Sequence, residues 1–480
     1  MFLALAAVWL TGFGLVRRML PQPLRWSLHN VLLFSLGIGV GSGVASCLYF
    51  LTLVLIGPNR TVVIAVTSAA AVGALVLGLL ARRQGTLLSW AEGPAPWYLT
   101  VLFGLASALA VAVFVAAVSN NPHGDEGAWS IWNLRARFLV RAGTFWRDAF
   151  SSDLSWTHLD YPLLLSGLVA LCWTLIGEEP IGVPIAIAFL FTLGTAGVLM
   201  GTLGVLRGRA YALIAGTLLL GTVSFIALGA AQYGDVPLGF YILATLALLC
   251  VQDRWPEDPR FSALAGLSAG FAAWTRNEGI IFLVAAIVAR VVAMLRFRER
   301  ADVLRQMLRL AAGVAAPLAI VIFFKLRVGG PNELLSLKPA LIFQHFIDPG
   351  RWILTVQGLV AVLFSMGRFL IPIVLVLALY WYLVRFQVDS RDRAALATAG
   401  IALGLTLATE LVVNILFVDN LALEVSTSFE RCLLQLWPAG LLMFFLASGP
   451  LQLVAAEKVP EKGKPSKKAP KPARSVAGTR

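Results

Sequence analysis

Charged residues are scarce in this chain: they make up 13% of 480 residues, whereas hydrophobic residues make up 59% and the mean hydropathy is +0.83. A soluble globular domain carries about a quarter charged residues. Many of the apolar runs approach or reach the ~20 residues that a helix needs to cross a ~30 Å hydrocarbon core. The composition therefore excludes a soluble enzyme and a disordered chain, and it predicts an all-α polytopic membrane protein.

Closely spaced cysteines are also missing. The four cysteines lie in separate apolar stretches and include no Cys-x-x-Cys pair: Cys47, Cys172, Cys250 and Cys432. A small secreted scaffold held by disulfides would need many more cysteines in a short chain. We interpret these four as small packing residues.

The positive charge of the chain does not indicate a nucleic-acid partner. The net charge is +13, but eight Lys or Arg against two Glu between positions 457 and 480 account for six of these charges. A segment of that composition has too little apolar surface to fold. We interpret residues 451–480 as a disordered basic cytoplasmic tail that contacts anionic lipid headgroups.

Thirteen apolar stretches are predicted to cross the membrane: 2–16, 30–56, 61–81, 97–118, 181–206, 210–231, 236–251, 261–276, 279–295, 307–324, 367–386, 394–417 and 432–450. Lys and Arg concentrate in cytoplasmic loops. Their positions fit one orientation, with the N-terminus outside and the C-terminus cytoplasmic, provided that residues 161–176 do not cross. This stretch is short and ends at Gly177 and Pro180, so we interpret it as a half-inserted or interfacial helix. We expect the protein in the plasma (inner) membrane of a prokaryote.

This topology predicts four regions. Residues 1–118 form an N-terminal four-span bundle, residues 119–180 an external loop with interfacial helices, and residues 181–450 the transmembrane core that precedes the tail. Fourteen of the 25 acidic residues and three of the four histidines then lie in external segments. We therefore expect the functional site at the external face of the membrane.

The external loop begins with an acidic turn, Asp125-Glu126, directly after the fourth predicted span. The residues that follow have helical periodicity, with apolar side chains on one face and arginines on another: Trp129, Trp132, Ala136 and Leu139 against Arg137 and Arg141. This pattern is typical of a helix in the headgroup layer. A simple anchor helix with a solvated acidic turn is the alternative interpretation.

Four further polar clusters lie at the same predicted face: His158–Pro162, Tyr233–Leu238, Thr275–Gly279 and Glu430-Arg431. Each alone is typical of a turn between spans. The spans that flank Arg276 and Glu278 are only about 22–26 Å long, however, so their external ends should lie below the headgroups. We expect these clusters to line one external cavity, because an acid–base pair at that depth is costly unless protein or water surrounds it.

In this order the motifs resemble those of the GT-C superfamily of integral-membrane glycosyltransferases, near the protein O-mannosyltransferase and lipid A aminoarabinose transferase group. The resemblance covers roughly residues 120–450 and is carried by Asp125-Glu126-Gly127, Ala136-Arg137-Phe138-Leu139 with Gly143 and Trp146, Tyr161-Pro162-Leu163, Tyr233-x-Asp235-x-Pro237-Leu238, Thr275-Arg276-Asn277-Glu278-Gly279 and Arg431-x-x-x-Gln435-x-x-Pro438. The chain departs from the family in two ways. Three extra spans precede the acidic loop, and Tyr161 stands where the family has a proline.

The resemblance implies a hexosyl or pentosyl transferase that moves a sugar from a polyprenyl-phosphate donor to a hydroxyl acceptor on a lipid, glycan or protein. It assigns catalysis to Asp125, with Glu126 beside it. The donor phosphate would be bound by arginines: Arg276, Arg431 and, second, Arg137. The substrates would be oriented by Asp235, His158, Asp160, Tyr161 and Glu278. No cofactor is expected; a divalent cation held by Glu126, His158 and Asp160 is the alternative.

Two other functions remain open from the sequence. A polytopic transporter or flippase for a lipid-linked or small polar substrate would favour ionisable residues near the bilayer midplane and repeats between its halves. Glu410 is the only acidic residue clearly in the middle of a predicted span, and the chain has no evident repeat. A lipid-binding or scaffold protein without catalysis would have much the same sequence features.

The predicted topology can be tested by cysteine labelling. We expect His123→Cys and Asn420→Cys to react with an impermeant thiol reagent added from outside, and Pro465→Cys to react only after permeabilisation. Labelling of positions 123 and 235 from opposite faces of the membrane would contradict a shared external site.

Overall fold

The computed structural model describes residues 1–20, 28–81, 95–298, 300–332, 337–368 and 372–449. These residues form helices and turns, and no strand occurs among them beyond an isolated bridge between Phe386 and Ser448. The all-α prediction is thus confirmed. The predicted basic tail, residues 451–480, lies outside the described residues.

Nineteen α-helices follow one another in the described part of the chain: α1 (Phe2–Met19), α2 (Leu28–Leu55), α3 (Arg60–Leu79), α4 (Trp97–Asn120), α5 (Asn133–Arg141), α6 (Leu164–Ile176), α7 (Gly182–Leu206), α8 (Arg209–Gly221), α9 (Val223–Ala230), α10 (Asp235–Arg254), α11 (Arg260–Thr275), α12 (Asn277–Phe297), α13 (Arg300–Arg327), α14 (Pro339–Ile347), α15 (Pro349–Ser365), α16 (Ile373–Val384), α17 (Arg393–Phe417), α18 (Leu421–Thr427) and α19 (Phe429–Ala447). Short π and 3₁₀ turns lie between α4 and α6, at Ala128–Trp132, Gly143–Phe150 and Ser152–Thr157.

Ten of the described helices are long and apolar enough to cross a membrane, and two bent helix pairs raise the number to twelve. This agrees with a polytopic membrane protein, but thirteen continuous spans are not found. Helix α11 has 16 residues and α16 has 12. The prediction also overlooked the α14–α15 pair, which bends by 66° where Asp348 adopts an extended backbone before Pro349. Proline disfavours a helical conformation in the residue before it, which explains the break.

Helix α6 corresponds to the stretch that was predicted not to cross. Its 13 residues correspond to roughly 20 Å at 1.5 Å per residue, too short for a span, and ten of them are buried. It packs against α2, α5 and α7, so other helices cover most of its surface. Arg60 donates hydrogen bonds to the carbonyls of Thr174, Leu175 and Ile176, and thereby satisfies the open C-terminal end of α6.

The first four helices pack in two directions. Helix α1 contacts α2 and α3, whereas α4 contacts α8 and α9. Glycine allows the close contact between α1 and α2, because a Cβ atom on Gly12 would collide with the backbone of Gly37 and Gly41. Small residues are the usual means by which membrane helices approach each other.

One end of the helix bundle is held together by buried ion pairs. The guanidinium of Arg290, which is fully buried on α12, lies 2.6 Å from the carboxylate of Asp253 on α10 and donates to Gln306 on α13. Arg254 pairs with Asp392, just before α17, at 2.7 Å. These contacts fix α10, α12, α13 and α17 relative to one another at the end opposite the polar clusters described below.

Candidate functional site

At the other end of the bundle, a cavity of about 870 Å³ lies among α9, α18, α19 and the segment between α4 and α6. All four predicted external clusters contribute to its wall, although two of them contribute a single residue each, Tyr233 and Arg276. One side carries the acidic turn Asp125-Glu126 and another carries Arg276 and Arg431. Aromatic side chains occupy much of the remaining wall: Trp129, Trp132, Trp156, Tyr161 and Tyr233. The cavity thus brings carboxylates, guanidinium groups and aromatic faces together.

The acidic turn is held in place by backbone contacts with the α9–α10 junction. The amide of Asp125 donates to the carbonyl of Ala231 at 3.2 Å, and Asn121 donates to Oδ1 of Asp125 at 3.2 Å. Gly124 has a φ of +77°, and a Cβ there would lie 2.7 Å from the carbonyl oxygen of Ala231. Only glycine allows this approach. The π turn that follows, Ala128–Trp132, is of a kind frequently found at functional sites.

Asp235 lies behind the two arginines, and it joins them. Its carboxylate is 2.8 Å from Nη1 of Arg276 and 3.3 Å from Nη2 of Arg431, and it accepts a hydrogen bond from Nε2 of Gln435 at 2.7 Å. The side chain is 1% exposed. The sequence predicted that Asp235 orients a substrate. That role stays a prediction; in the structure the carboxylate is the shared counter-ion of Arg276 and Arg431, because a buried carboxylate needs compensating charge.

The two arginines differ in how much of their side chain remains accessible. Arg276 is 8% exposed and makes a second ion pair, at 2.5 Å, with Glu278. Arg431 is 32% exposed, and its contacts with Asp235 are the longer ones. Arg431 is therefore the better placed of the two to bind an anionic ligand in the cavity.

Each arginine lies over a tyrosine ring. Arg276 is 5.5 Å from the ring centroid of Tyr161, and Arg431 is 4.9 Å from that of Tyr233. Tyr161 is also stacked on His158 and Trp132, with centroid distances of 4.7 and 5.7 Å. The hydroxyl of Tyr233 accepts a hydrogen bond from the amide of Gly127, which links Arg431 to the acidic turn. Cation–π contacts of this kind restrain a guanidinium without consuming its hydrogen-bond donors.

Burial raises the pKa of Tyr161, and the nearby charge of Glu278 adds to the effect. Burial likewise raises the pKa of Tyr233. Both phenols are therefore neutral at physiological pH. They serve as aromatic supports and hydrogen-bonding groups, and they add no negative charge to the cavity.

The segment with His158 and Tyr161 is fixed by Arg135, which the sequence analysis overlooked. The Arg135 guanidinium is buried and donates to the backbone carbonyls of Thr157, His158 and Tyr161 at 2.7, 2.9 and 3.2 Å. Burial lowers the pKa of Arg135 to about 10, which leaves it charged at neutral pH. One signal was available: Arg135 lies three residues after Trp132, on the apolar face of the helix.

His158 itself has a φ of +53°, which is a left-handed conformation. Gln232, on the opposite side of the acidic turn, has a φ of +61° and donates to the carbonyl of Pro122. A non-glycine residue in this conformation costs of the order of 1–3 kcal/mol, and such residues cluster at functional sites. Both strained residues belong to segments that border the cavity.

Asp160 is part of a separate polar network. Its Oδ2 atom accepts hydrogen bonds from Asn332, Asn277 and Lys325 at 2.7, 2.8 and 2.9 Å. Asp160 and Glu278 line a second cavity of about 430 Å³ that shares Tyr161, His158 and both arginines with the first. Glu126 and His158 line the first cavity. In the part of the chain that the structure describes, no group of three or more His, Cys, Asp or Glu side chains is arranged to hold a metal ion.

Arg137 lies away from the first cavity, although the sequence predicted a phosphate contact for it. Its Nε atom is 3.6 Å from Glu179, and its guanidinium lies 5.8 Å from the ring of Trp173. Arg141 pairs with the same carboxylate at 2.6 Å. Helical geometry explains the difference, because Arg137 and Arg141 project from α5 on the side opposite Trp132.

Comparisons of this chain with protein-family models, with curated proteins and with solved structures give no match. The geometry of the two cavities is therefore the basis on which a function can be assigned.

The role of Arg135 can be tested by hydrogen exchange. We expect Arg135→Lys to speed exchange of the His158 and Tyr161 amides about tenfold or more. Two separate guanidinium nitrogens contact the three carbonyls, and lysine has only one nitrogen. Arg137→Lys, two residues further along the same helix, is the matched control and should leave these amides unchanged. Equal effects of the two variants, measured by mass spectrometry, would contradict the assignment.

Proposed function

We propose that the protein is a membrane glycosyltransferase of the GT-C kind, which moves a sugar from a polyprenyl-phosphate donor to a hydroxyl acceptor. One observation carries the proposal: a single cavity of about 870 Å³ contains both the accessible carboxylates of Asp125 and Glu126 and the accessible guanidinium of Arg431. Transfer of a sugar from a phosphate leaving group needs a base for the acceptor and positive charge for the phosphate.

The donor side of the reaction is assigned to the arginines. Arg431 binds the phosphate of the donor, and Arg276 supports it through their common partner Asp235. A planar guanidinium presents paired donors to phosphate oxygens, which suits this role better than an ammonium group. The aromatic walls, including Trp129 and Trp156, provide apolar surface for the sugar ring and the first part of the lipid.

The acceptor side is assigned to Asp125. The acceptor oxygen attacks the anomeric carbon while the bond from that carbon to the phosphate oxygen breaks. Asp125 takes the acceptor proton, and polyprenyl phosphate leaves with the bonding electron pair. Asn121 donates to Oδ1 of Asp125 and orients the carboxylate.

The distribution of charge supports an external site. Arg207, Arg296 and Arg298 lie at helix ends on the opposite side of the bundle, whereas five carboxylates line the second cavity. Because Lys and Arg favour cytoplasmic loops, we assign the cavity end to the outside of the membrane and the arginine-rich end to the cytoplasm. On this assignment the protein transfers sugar into the cell envelope.

The role of Asp125 can be tested with purified protein and a panel of polyprenyl-phosphate sugars, with a membrane lipid extract as the source of acceptor. We expect Asp125→Asn to abolish release of polyprenyl phosphate while donor binding is nearly unchanged, since a general base contributes about 10²–10⁴-fold. Asp153→Asn, an exposed carboxylate of the same segment that lines neither cavity, is the matched control. Full turnover by Asp125→Asn would remove Asp125 from this role.

The phosphate site can be tested by the donor concentration dependence of lysine variants. We expect Arg431→Lys to weaken donor use by about ten- to a hundredfold, because lysine retains the charge but loses the paired donors. Arg276→Lys should be impaired as well, since Arg276 holds Asp235 and Glu278. Arg141→Lys, on α5, is the control. Wild-type behaviour of both cavity variants together with an inactive Asp125→Asn would mean that the phosphate binds elsewhere.

A further inference from the structure

The second cavity has a chemical character of its own. It lies beside the first, behind the wall formed by Tyr161, Arg276 and Arg431, and is bordered by α12, α17 and α19. Five carboxylates line it: Asp160, Asp235, Glu278, Glu410 and Glu424. Two arginines line it as well, and Lys325 neutralises Asp160 from outside the lining. Negative charge is therefore in excess.

Among the described side chains that line this cavity, acceptor atoms without a hydrogen bond outnumber donor atoms without one, which are Nε and Nη1 of Arg276. Among the described residues, no donor has hydrogen-bonding geometry to either carboxyl oxygen of Glu410, to Oε2 of Glu278 or to Oε1 of Gln435. The orientation of the Gln435 amide is fixed, because its nitrogen donates to Asp235. The thiol of Cys432 faces Glu410, but it is a weak donor and satisfies one oxygen at most.

Two of these acceptor side chains are almost completely buried. Glu410 is 5% exposed and Gln435 is 2% exposed, and both line the cavity. A buried carboxyl or amide oxygen without a hydrogen-bond donor is costly, because it loses its contacts with water and gains none in the protein. Native proteins rarely retain such groups without an ordered water, an ion, a ligand or another functional reason.

From these observations we propose that the second cavity binds a primary ammonium group, held by Glu410, Glu278 and Gln435. An ammonium carries three donors, no acceptor and one positive charge. It therefore matches both the acceptor atoms that lack a donor and the excess of negative charge in this cavity. A neutral hydroxyl would bring an unmatched acceptor and leave the charge uncompensated. This inference goes beyond the proposed transfer reaction and does not require it.

The ammonium group has two possible sources. It can belong to a phosphoethanolamine headgroup, in which case Arg431 binds the phosphate at the shared wall while Glu410 binds the amine. It can equally belong to a soluble amine. The chemistry that the cavity recognises is the same in both cases, and an experiment separates them.

The test uses the purified full-length protein in detergent and needs no turnover. Thermal stability is followed during titration with ethanolamine, with ethylene glycol, which replaces the ammonium by a hydroxyl, and with choline, whose ammonium has no donors. We expect ethanolamine to raise the melting temperature saturably and at concentrations about ten- to a hundredfold lower than the other two. Ethylene glycol that binds as tightly as ethanolamine would overturn the proposal.

Variants connect the binding to the cavity. We expect Glu410→Gln to weaken ethanolamine binding by about ten- to a hundredfold, and to melt no lower than wild type without ligand, since glutamine has nearly the same shape and adds a hydrogen-bond donor. Glu257→Gln, an exposed carboxylate between α10 and α11, is the matched control. Gln435→Leu gives an independent second test if Glu410→Gln folds poorly. Wild-type affinity of Glu410→Gln for ethanolamine would overturn the assignment. If only Gln435→Leu folds, wild-type affinity of that variant would overturn it.

Titration with short-chain phosphatidylethanolamine and phosphatidylcholine identifies the source. Tighter binding of phosphatidylethanolamine than of ethanolamine, abolished by Glu410→Gln, supports a lipid headgroup. Equal binding of the two amines supports a soluble amine. Because Asp125 does not line the second cavity, failure of this test leaves the Asp125 assay unaffected, and the two proposals can fail separately.

Discussion

The carboxylate of Asp235 is the interaction on which the cavity end of the molecule depends. It is buried at the start of α10 and compensated by Arg276, which follows α11, and by Arg431 and Gln435 on α19. Breaking a buried pair by removing one partner is strongly destabilising, since a charge is then left in a poor solvent. The three helices are therefore held in one arrangement by a charge that none of them can accommodate alone.

A second set of constraints acts at the opposite end of the same helices. Helix α10 ends at Asp253 and Arg254, which pair with Arg290 on α12 and with Asp392 before α17. Because α10 and α12 are fixed near both ends, their polar ends at the cavity have little freedom to separate. Rigid elements that carry a site hold its groups more accurately than loops do.

The two arginines of the first cavity, Arg276 and Arg431, differ in their ion pairs and in their accessibility. Arg276 is enclosed by two carboxylates and Tyr161, and it serves as structure; Arg431 retains accessible surface and is available to a ligand. On the other side of this wall, carboxyl and amide acceptors remain without donors. The two adjacent cavities thus differ in polar character, although they share His158, Tyr161, Arg276 and Arg431.

Much of the fold could be predicted from composition and spacing. The apolar runs indicate spanning helices, because hydrocarbon permits few other structures, and the stretch that forms α6 is too short to cross. The convergence of Asp125, Tyr161, Tyr233, Arg276 and Arg431 was expected from motif order and span length. The sequence prediction missed the α14–α15 pair altogether and placed a full span where α16 has only twelve residues. Prolines precede α15 and α16 and interrupt the apolar runs there, and a window average does not register such interruptions.

The roles of single polar residues were decided only by tertiary structure. The sequence shows that Asp235, Arg135 and Arg137 are ionisable, but it does not show which of them faces another helix. Asp235 is a counter-ion of two arginines, and Arg135 donates hydrogen bonds that support the segment 157–161. Arg137 contacts Glu179 outside the cavity. The pairing of a buried charge depends on neighbours that are distant along the chain and close in space, and no local pattern of residues contains that information.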